Sequence, residues 1–150
     1  MNTVTKRQLW VGRILSGIPV LFLLMDGVGK LVAPPPVLEG TQQLGYAVSV
    51  LPTLGVLVLT GVLLYVVPRT SVLGAIWLTG FLGGAVATHV RVGNPLFTHV
   101  LFPTYLGVML WAGLVLRDAR LRALLPFTSA RPALSGETPE RASAARLAAH

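Results

Sequence analysis

Ser71-Val-Leu-Gly-Ala-Ile-Trp-Leu-Thr-Gly-Phe-Leu-Gly-Gly-Ala-Val-Ala-Thr-His89-Val-Arg91-Val-Gly-Asn-Pro95 decides the fold class. From Ser71 to Thr88 no side chain is ionisable. A helix needs roughly 20 apolar residues to cross the hydrocarbon of a bilayer, and this run approaches that length before its first histidine. Gly93-Asn94-Pro95 then ends it, because glycine and proline punctuate a helix in opposite ways and together stop it. Working outward, three more stretches of the same kind appear, giving helices over about 9–32, 46–67, 71–92 and 97–116. Ala33-Pro34-Pro35-Pro36 ends the first, since proline has no amide hydrogen and clashes with the preceding turn. Pro68-Arg69-Thr70-Ser71 separates the second and third, with Ser71 the expected N-cap.

Composition agrees with a lipid solvent. The 150 residues are 53% hydrophobic and 11% charged, with a mean hydropathy of +0.73. Soluble domains carry about 25% charged residues. One small soluble core could not hide this much apolar surface. The formal charge of +7 does not indicate nucleic acid, because the basic residues flank apolar runs instead of forming one soluble patch. There are no cysteines, which excludes a disulfide, a thiolate nucleophile and a cysteine-ligated metal or cluster. The first apolar run is too long for a cleaved leader and is expected to remain as a span.

Short connections between the runs predict an all-α, four-transmembrane-helix antiparallel bundle over residues 1–126. The longer loop from Ala33 to Gly45 is too polar to span, so a short interfacial helix closed by a left-handed Gly45 is expected there. Residues 127–150 are rich in Ser, Ala, Pro, Arg and Glu and predict a disordered cytoplasmic tail, with a short helix conceivable from Thr138 to Ala149. Basic residues set the orientation. Lys6, Arg7, Arg13, Arg69, Arg117, Arg120, Arg122, Arg131, Arg141 and Arg146 fall on one side, and only Lys30 and Arg91 on the other. Both termini are therefore expected in the cytoplasm of a multi-pass cell-membrane protein.

An ionisable group inside a span is costly unless paired or hydrated, so each is a functional candidate. Asp26 and Lys30, four apart, lie on one helix face and can pair, acid before base in the favourable order. With Glu39, His89, Arg91 and His99 they all fall at the outer end, suggesting one polar cup above an apolar bundle. Two residues apart, His89 and Arg91 can both face the cup only if the helix ends near His89. Lys30 and Arg91 could instead simply snorkel to the interface. His89, His99, Asp26 and Glu39 match no established metal spacing, and no metal is expected. Small residues hold helices together in lipid. The Gly80/Gly84 pair therefore reads as a packing seam within the bundle, or alternatively between subunits of a homo-oligomer.

Several of these segments resemble one family. Asp26-Gly-Val-Gly-Lys30, Pro36-Val-Leu-Glu39-Gly, Leu44-Gly45-Tyr46, the Arg69 turn and His89-Val-Arg91-Val-Gly-Asn-Pro95 are similar to the DoxX-like membrane proteins over roughly residues 8–126. The resemblance implies a four-helix membrane fold. The family name comes from a subunit of a thiosulfate:quinone oxidoreductase, some relatives are tied to oxidative-stress assemblies, and most have no assigned activity. The leading expectation is that the cup binds the polar head of a lipophilic small molecule, a quinone or an isoprenoid, with the chain as a membrane subunit beside an oxidoreductase partner. Asp26 and His89 would contact or protonate that head, and Lys30, Glu39, Arg91 and His99 would support it. Two alternatives stand beside it: a self-contained isomerase or hydrolase using Asp26 and His89 as acid and base, and a non-catalytic scaffold.

Overall fold

The computed structural model describes residues 5–124. The tail, including the Thr138–Ala149 segment, lies outside them. Among the described residues all regular structure is helical: α1 Lys6–Val32, α2 Pro35–Gln43, α3 Leu51–Val66, α4 Ser71–Arg91, α5 Phe102–Arg117 and α6 Ala119–Leu124. A tight turn at Val48–Val50 leads into α3, and a wide turn at Leu96–Val100 leads into α5. With those turns included, four spans are long and apolar enough to cross a membrane: Lys6–Val32, Val48–Val66, Ser71–Arg91 and Leu96–Arg117. α1 and α4 each pack against both α3 and α5, so the four long helices form an antiparallel square with α1 and α4 on its diagonal. Large apolar side chains face outward, Leu63 being 67% exposed; water would penalise that surface and hydrocarbon does not.

Glycines set the helix separations. A Cβ on Gly74 of α4 would stand 2.5 Å from the Tyr65 Cα of α3, and one on Gly113 of α5 would stand 2.8 Å from the Gly12 carbonyl oxygen of α1. Only backbones without side chains pass this close, the usual way helices gain dispersion contact in lipid. Above Gly113, Tyr65 locks three helices. Its hydroxyl donates to the Leu110 carbonyl (2.7 Å), which leaves Ser16 Oγ as the donor to Tyr65 (2.9 Å). The Gly80/Gly84 pair does not belong to these seams, because no atom lies within 4 Å of a Cβ at either position.

The helix ends depart from expectation in three places. Thr70, not Ser71, takes the N-cap of α4; its hydroxyl donates to the Leu64 carbonyl (2.8 Å) and ties the turn to the end of α3. The second span starts at Val48, where Pro52 sits in the first turn of α3. The fourth begins as a wide turn: the Val100 amide bonds the Pro95 carbonyl (3.2 Å) and the Leu101 amide bonds the Leu96 carbonyl (2.9 Å). Regular helix starts only at Phe102, because Pro103 has no amide to give the carbonyl four residues back.

The short helix of the first loop is α2, and it closes as expected. Gly45 has φ +75. Its amide donates to the Gln42 carbonyl (2.8 Å) and the Tyr46 amide donates to the Thr41 carbonyl (3.1 Å). That pair of bonds is the Schellman pattern, which needs a residue tolerant of left-handed backbone.

Candidate functional site

At the end of the bundle where α1 and α4 finish, three local devices bring polar groups together. The first is on α1, where Lys30 donates to Asp26 across one helical turn. Their side chains are only 18% and 31% exposed, so each satisfies a charge that would otherwise be expensive at this depth. Gly27 beside them presses α1 onto Val58 and Leu59 of α3, which fixes the face on which the pair sits.

The second device is the end of α4. Gly93 takes φ +70, its amide donates to the Val90 carbonyl (3.1 Å), and the Asn94 amide donates to the His89 carbonyl (3.0 Å). This second Schellman cap folds Asn94 back over His89. The Asn94 carboxamide nitrogen lies 2.8 Å from His89 Nδ1. As the donor, it makes Nδ1 an acceptor and leaves the imidazole proton on Nε2. One residue earlier, Thr88 donates to the Gly84 carbonyl (2.9 Å), so its oxygen accepts the Tyr46 hydroxyl (2.7 Å).

The third is the wide turn before α5, which carries His99. Its ring meets that of His89 edge-on, with centroids 5.8 Å apart and planes at 64°, while its Nδ1 lies 2.8 Å from Thr98 Oγ1. Wide turns of this kind recur at functional positions because they re-aim one side chain out of helical register.

These groups line a cavity of about 720 Å³, within the size range of small-molecule sites. Its polar wall holds Asp26, Lys30, His89, Asn94 and His99, with Thr41 and Gln43 of α2 across the mouth. Deeper in, the wall is apolar and aromatic: Phe22, Leu23, Phe81, Leu82, Phe102 and Leu106. Phe22 and Phe102 meet edge-on at 5.0 Å and close the seam between α1 and α5. The cavity thus offers an ion pair and two imidazoles at one end and hydrocarbon at the other.

Of the six residues expected to form the cup, the structure brings four together at the cavity: Asp26, Lys30, His89 and His99. Glu39 is exposed on α2 and is not part of the lining. Arg91 is also outside it. α4 continues to Arg91, so two residues of helix turn that side chain about 200° away from His89. There it donates to the Leu44 carbonyl (2.6 Å) and lies 5.8 Å from the centre of the Tyr46 ring, tethering the α2 end. Sequence reasoning missed Asn94, Thr88 and Tyr46. Asn94 was detectable, since a glycine followed by Asn at a helix end predicts a residue folded back on the last turn.

Asp26 accepts from Lys30 and His89 is bonded to Asn94, and no hydrogen bond joins Asp26 to His89 directly. Among the described residues no three His, Cys, Asp or Glu side chains gather closely enough to hold a metal ion.

Searches for similar curated proteins and for similar solved structures gave no match. A family model described as the DoxX-like family matches residues 14–113. That stretch runs from the first turns of α1 to the last of α5. It takes in both histidines, the ion pair and the α2 loop, everything from which the cavity is built. With two thirds of its length matched and four membrane-spanning helices, the chain belongs to the DoxX-like family of membrane proteins.

Proposed function

We propose that the cavity holds the polar head of a membrane-soluble amphiphile, a quinone or an isoprenoid, and that the chain serves as a membrane subunit beside an oxidoreductase partner. The observation that carries this reading is the two-part wall: an ion pair and a histidine pair above an aromatic, apolar floor. A quinone head needs donors for its carbonyl oxygens, and the His89 Nε2–H and the Lys30 ammonium are both donors. The phenylalanines offer ring edges and faces of the kind on which an aromatic head packs. His89 holds a carbonyl oxygen of the head through its Nε2–H and keeps that proton, because a neutral imidazole that lost it would become an anion. Asp26 keeps Lys30 neutralised while the site is empty. Thiol or sulfur chemistry would have to come from the partner, because the chain has no cysteine.

The same reading puts the cavity at the outer leaflet and both termini in the cytoplasm. Lys6, Arg7, Arg13, Arg69, Arg117, Arg120 and Arg122 flank the α1 start, the α3–α4 turn and the α5 end, the pattern of a cytoplasmic face.

The test is a titration of quinone into purified protein, followed by quenching of tryptophan fluorescence. An Asp26→Asn, His89→Ala double variant is expected to lose binding at least tenfold. Wild-type affinity in that variant would refute the assignment.

A further inference from the structure

α3 and α4 do not stay in contact along their full length. Near the basic end a Cβ on Gly74 would stand 2.7 Å from the Leu64 carbonyl carbon, and one on Gly61 would stand 2.7 Å from the Trp77 ring. The Trp77 Nε1–H donates to the Leu57 carbonyl (2.9 Å). At the other end the seam is closed again by Tyr46 and Thr88. Trp77, Gly80, Gly84 and Thr88 follow one another at helical spacing along a single stripe of α4. The two closing contacts therefore lie on the same face as the two glycines between them. At Gly80 and Gly84 nothing stands within 4 Å of where a side chain would begin. Both are exposed and both line the cavity, as does Leu54 of α3. Between the Trp77–Leu57 and Tyr46–Thr88 contacts, α4 presents only these two bare glycines to the seam. On the opposite side the Phe22–Phe102 pair closes the α1–α5 seam. Gly80 and Gly84 fall within a membrane span, so an opening of the cavity at this seam would meet hydrocarbon.

We infer that this window between α3 and α4 is a lateral port. Through it an amphiphile enters from the bilayer, and its apolar chain stays in the lipid while its head reaches Asp26, Lys30 and His89. The inference rests on the cavity being an amphiphile site and adds the route of entry, which selects one polar head on a long hydrocarbon or isoprenoid chain. Selection of such molecules follows from geometry. A head alone gains only the polar wall, whereas a chain-bearing molecule stays in contact with lipid throughout and need not cross water.

The test compares two probes in lipid nanodiscs, a naphthoquinone bearing a four-isoprene chain and the same ring without a chain. Leucine is introduced at Gly80 and Gly84 together, and separately at Gly83. Gly83 is equally open, with nothing within 4 Å, and does not line the cavity. At all three sites a Cβ meets nothing within 4 Å, so these variants are expected to fold. The Gly80→Leu, Gly84→Leu variant should slow association of the chain-bearing quinone at least tenfold, and by at least five times more than that of the bare ring. Gly83→Leu should match wild type. Unchanged association of the chain-bearing quinone in the double variant, with wild type binding it, would overturn the port and leave the amphiphile site standing. Equal slowing in Gly83→Leu would also overturn the port. Failure of wild type to bind either probe would remove both readings.

Discussion

Replacing Gly74 by Ala probes the contact that sets the α3–α4 separation below the cavity. The new Cβ would run into the Tyr65 amide nitrogen and stand 2.5 Å from the Tyr65 Cα, where ordinary contact begins at 3.4 Å, so the backbones must part by more than about 0.9 Å. The obstruction is backbone and cannot rotate away as a side-chain tip would. Overpacking of this kind costs about 1–3 kcal/mol, or roughly 5- to 150-fold in the folding equilibrium. The upper half of that range is expected, because parting the helices also strains the Tyr65 hydroxyl bonds to Leu110 and Ser16. Gly83→Ala is the control: it meets nothing within 4 Å, and alanine is the better helix former by up to about 1 kcal/mol. The assay is an SDS titration in maltoside micelles followed by far-ultraviolet circular dichroism. Gly74→Ala should unfold at a lower SDS fraction than wild type, and Gly83→Ala at the same fraction or a higher one. Equal midpoints for Gly74→Ala and wild type would refute the packing argument.

Other consequences are equally direct. Nitrogen-15 NMR of labelled histidine should find His89 as the Nε2–H form, and Asn94→Leu should release a mixture of tautomers; a mixture in wild type would contradict the Asn94 bond. Arg91→Ala should raise deuterium uptake across Pro35–Gln43 about fivefold, the loss of one hydrogen bond of about 1 kcal/mol, and leave α3–α5 unchanged; no change in α2 would remove Arg91 as its tether. Because the chain lacks cysteine, single cysteines report orientation cleanly. A membrane-impermeant maleimide applied to intact cells should label Gln42→Cys and not His150→Cys, and the reverse would invert the topology.

Depth along the bilayer was legible in the sequence, and azimuth was not. Apolar run lengths and the Pro and Gly breaks locate the spans. The i,i+4 spacing gives the Asp26–Lys30 pair, and Gly45 predicts its own left-handed cap. Grouping six residues into one cup used depth, with azimuth weighed only for Arg91, whose place there required the helix to end near His89. Whether a side chain at the right depth faces the cavity depends on where the helix stops and which neighbour it meets. For Arg91 that is two residues of continuing helix. For Gly80 and Gly84 the same limit applies to the reading as a seam within the bundle. A small-residue spacing marks either a close contact or a gap, and only the position of α3 distinguishes them. The break before Phe102 had a local signal in Pro103, but the wide turn that carries His99 depends on packing beyond it.

The most direct test of the central claim is the identity of what the protein carries out of the membrane. Wild type and His89→Ala would be purified in mild detergent, their absorption spectra taken and their extracted lipids identified by mass spectrometry. An amphiphile with a quinone or isoprenoid chain, near one per chain in wild type and depleted in His89→Ala, is the predicted result. The same bulk phospholipid in both, with no such molecule enriched, would contradict the account.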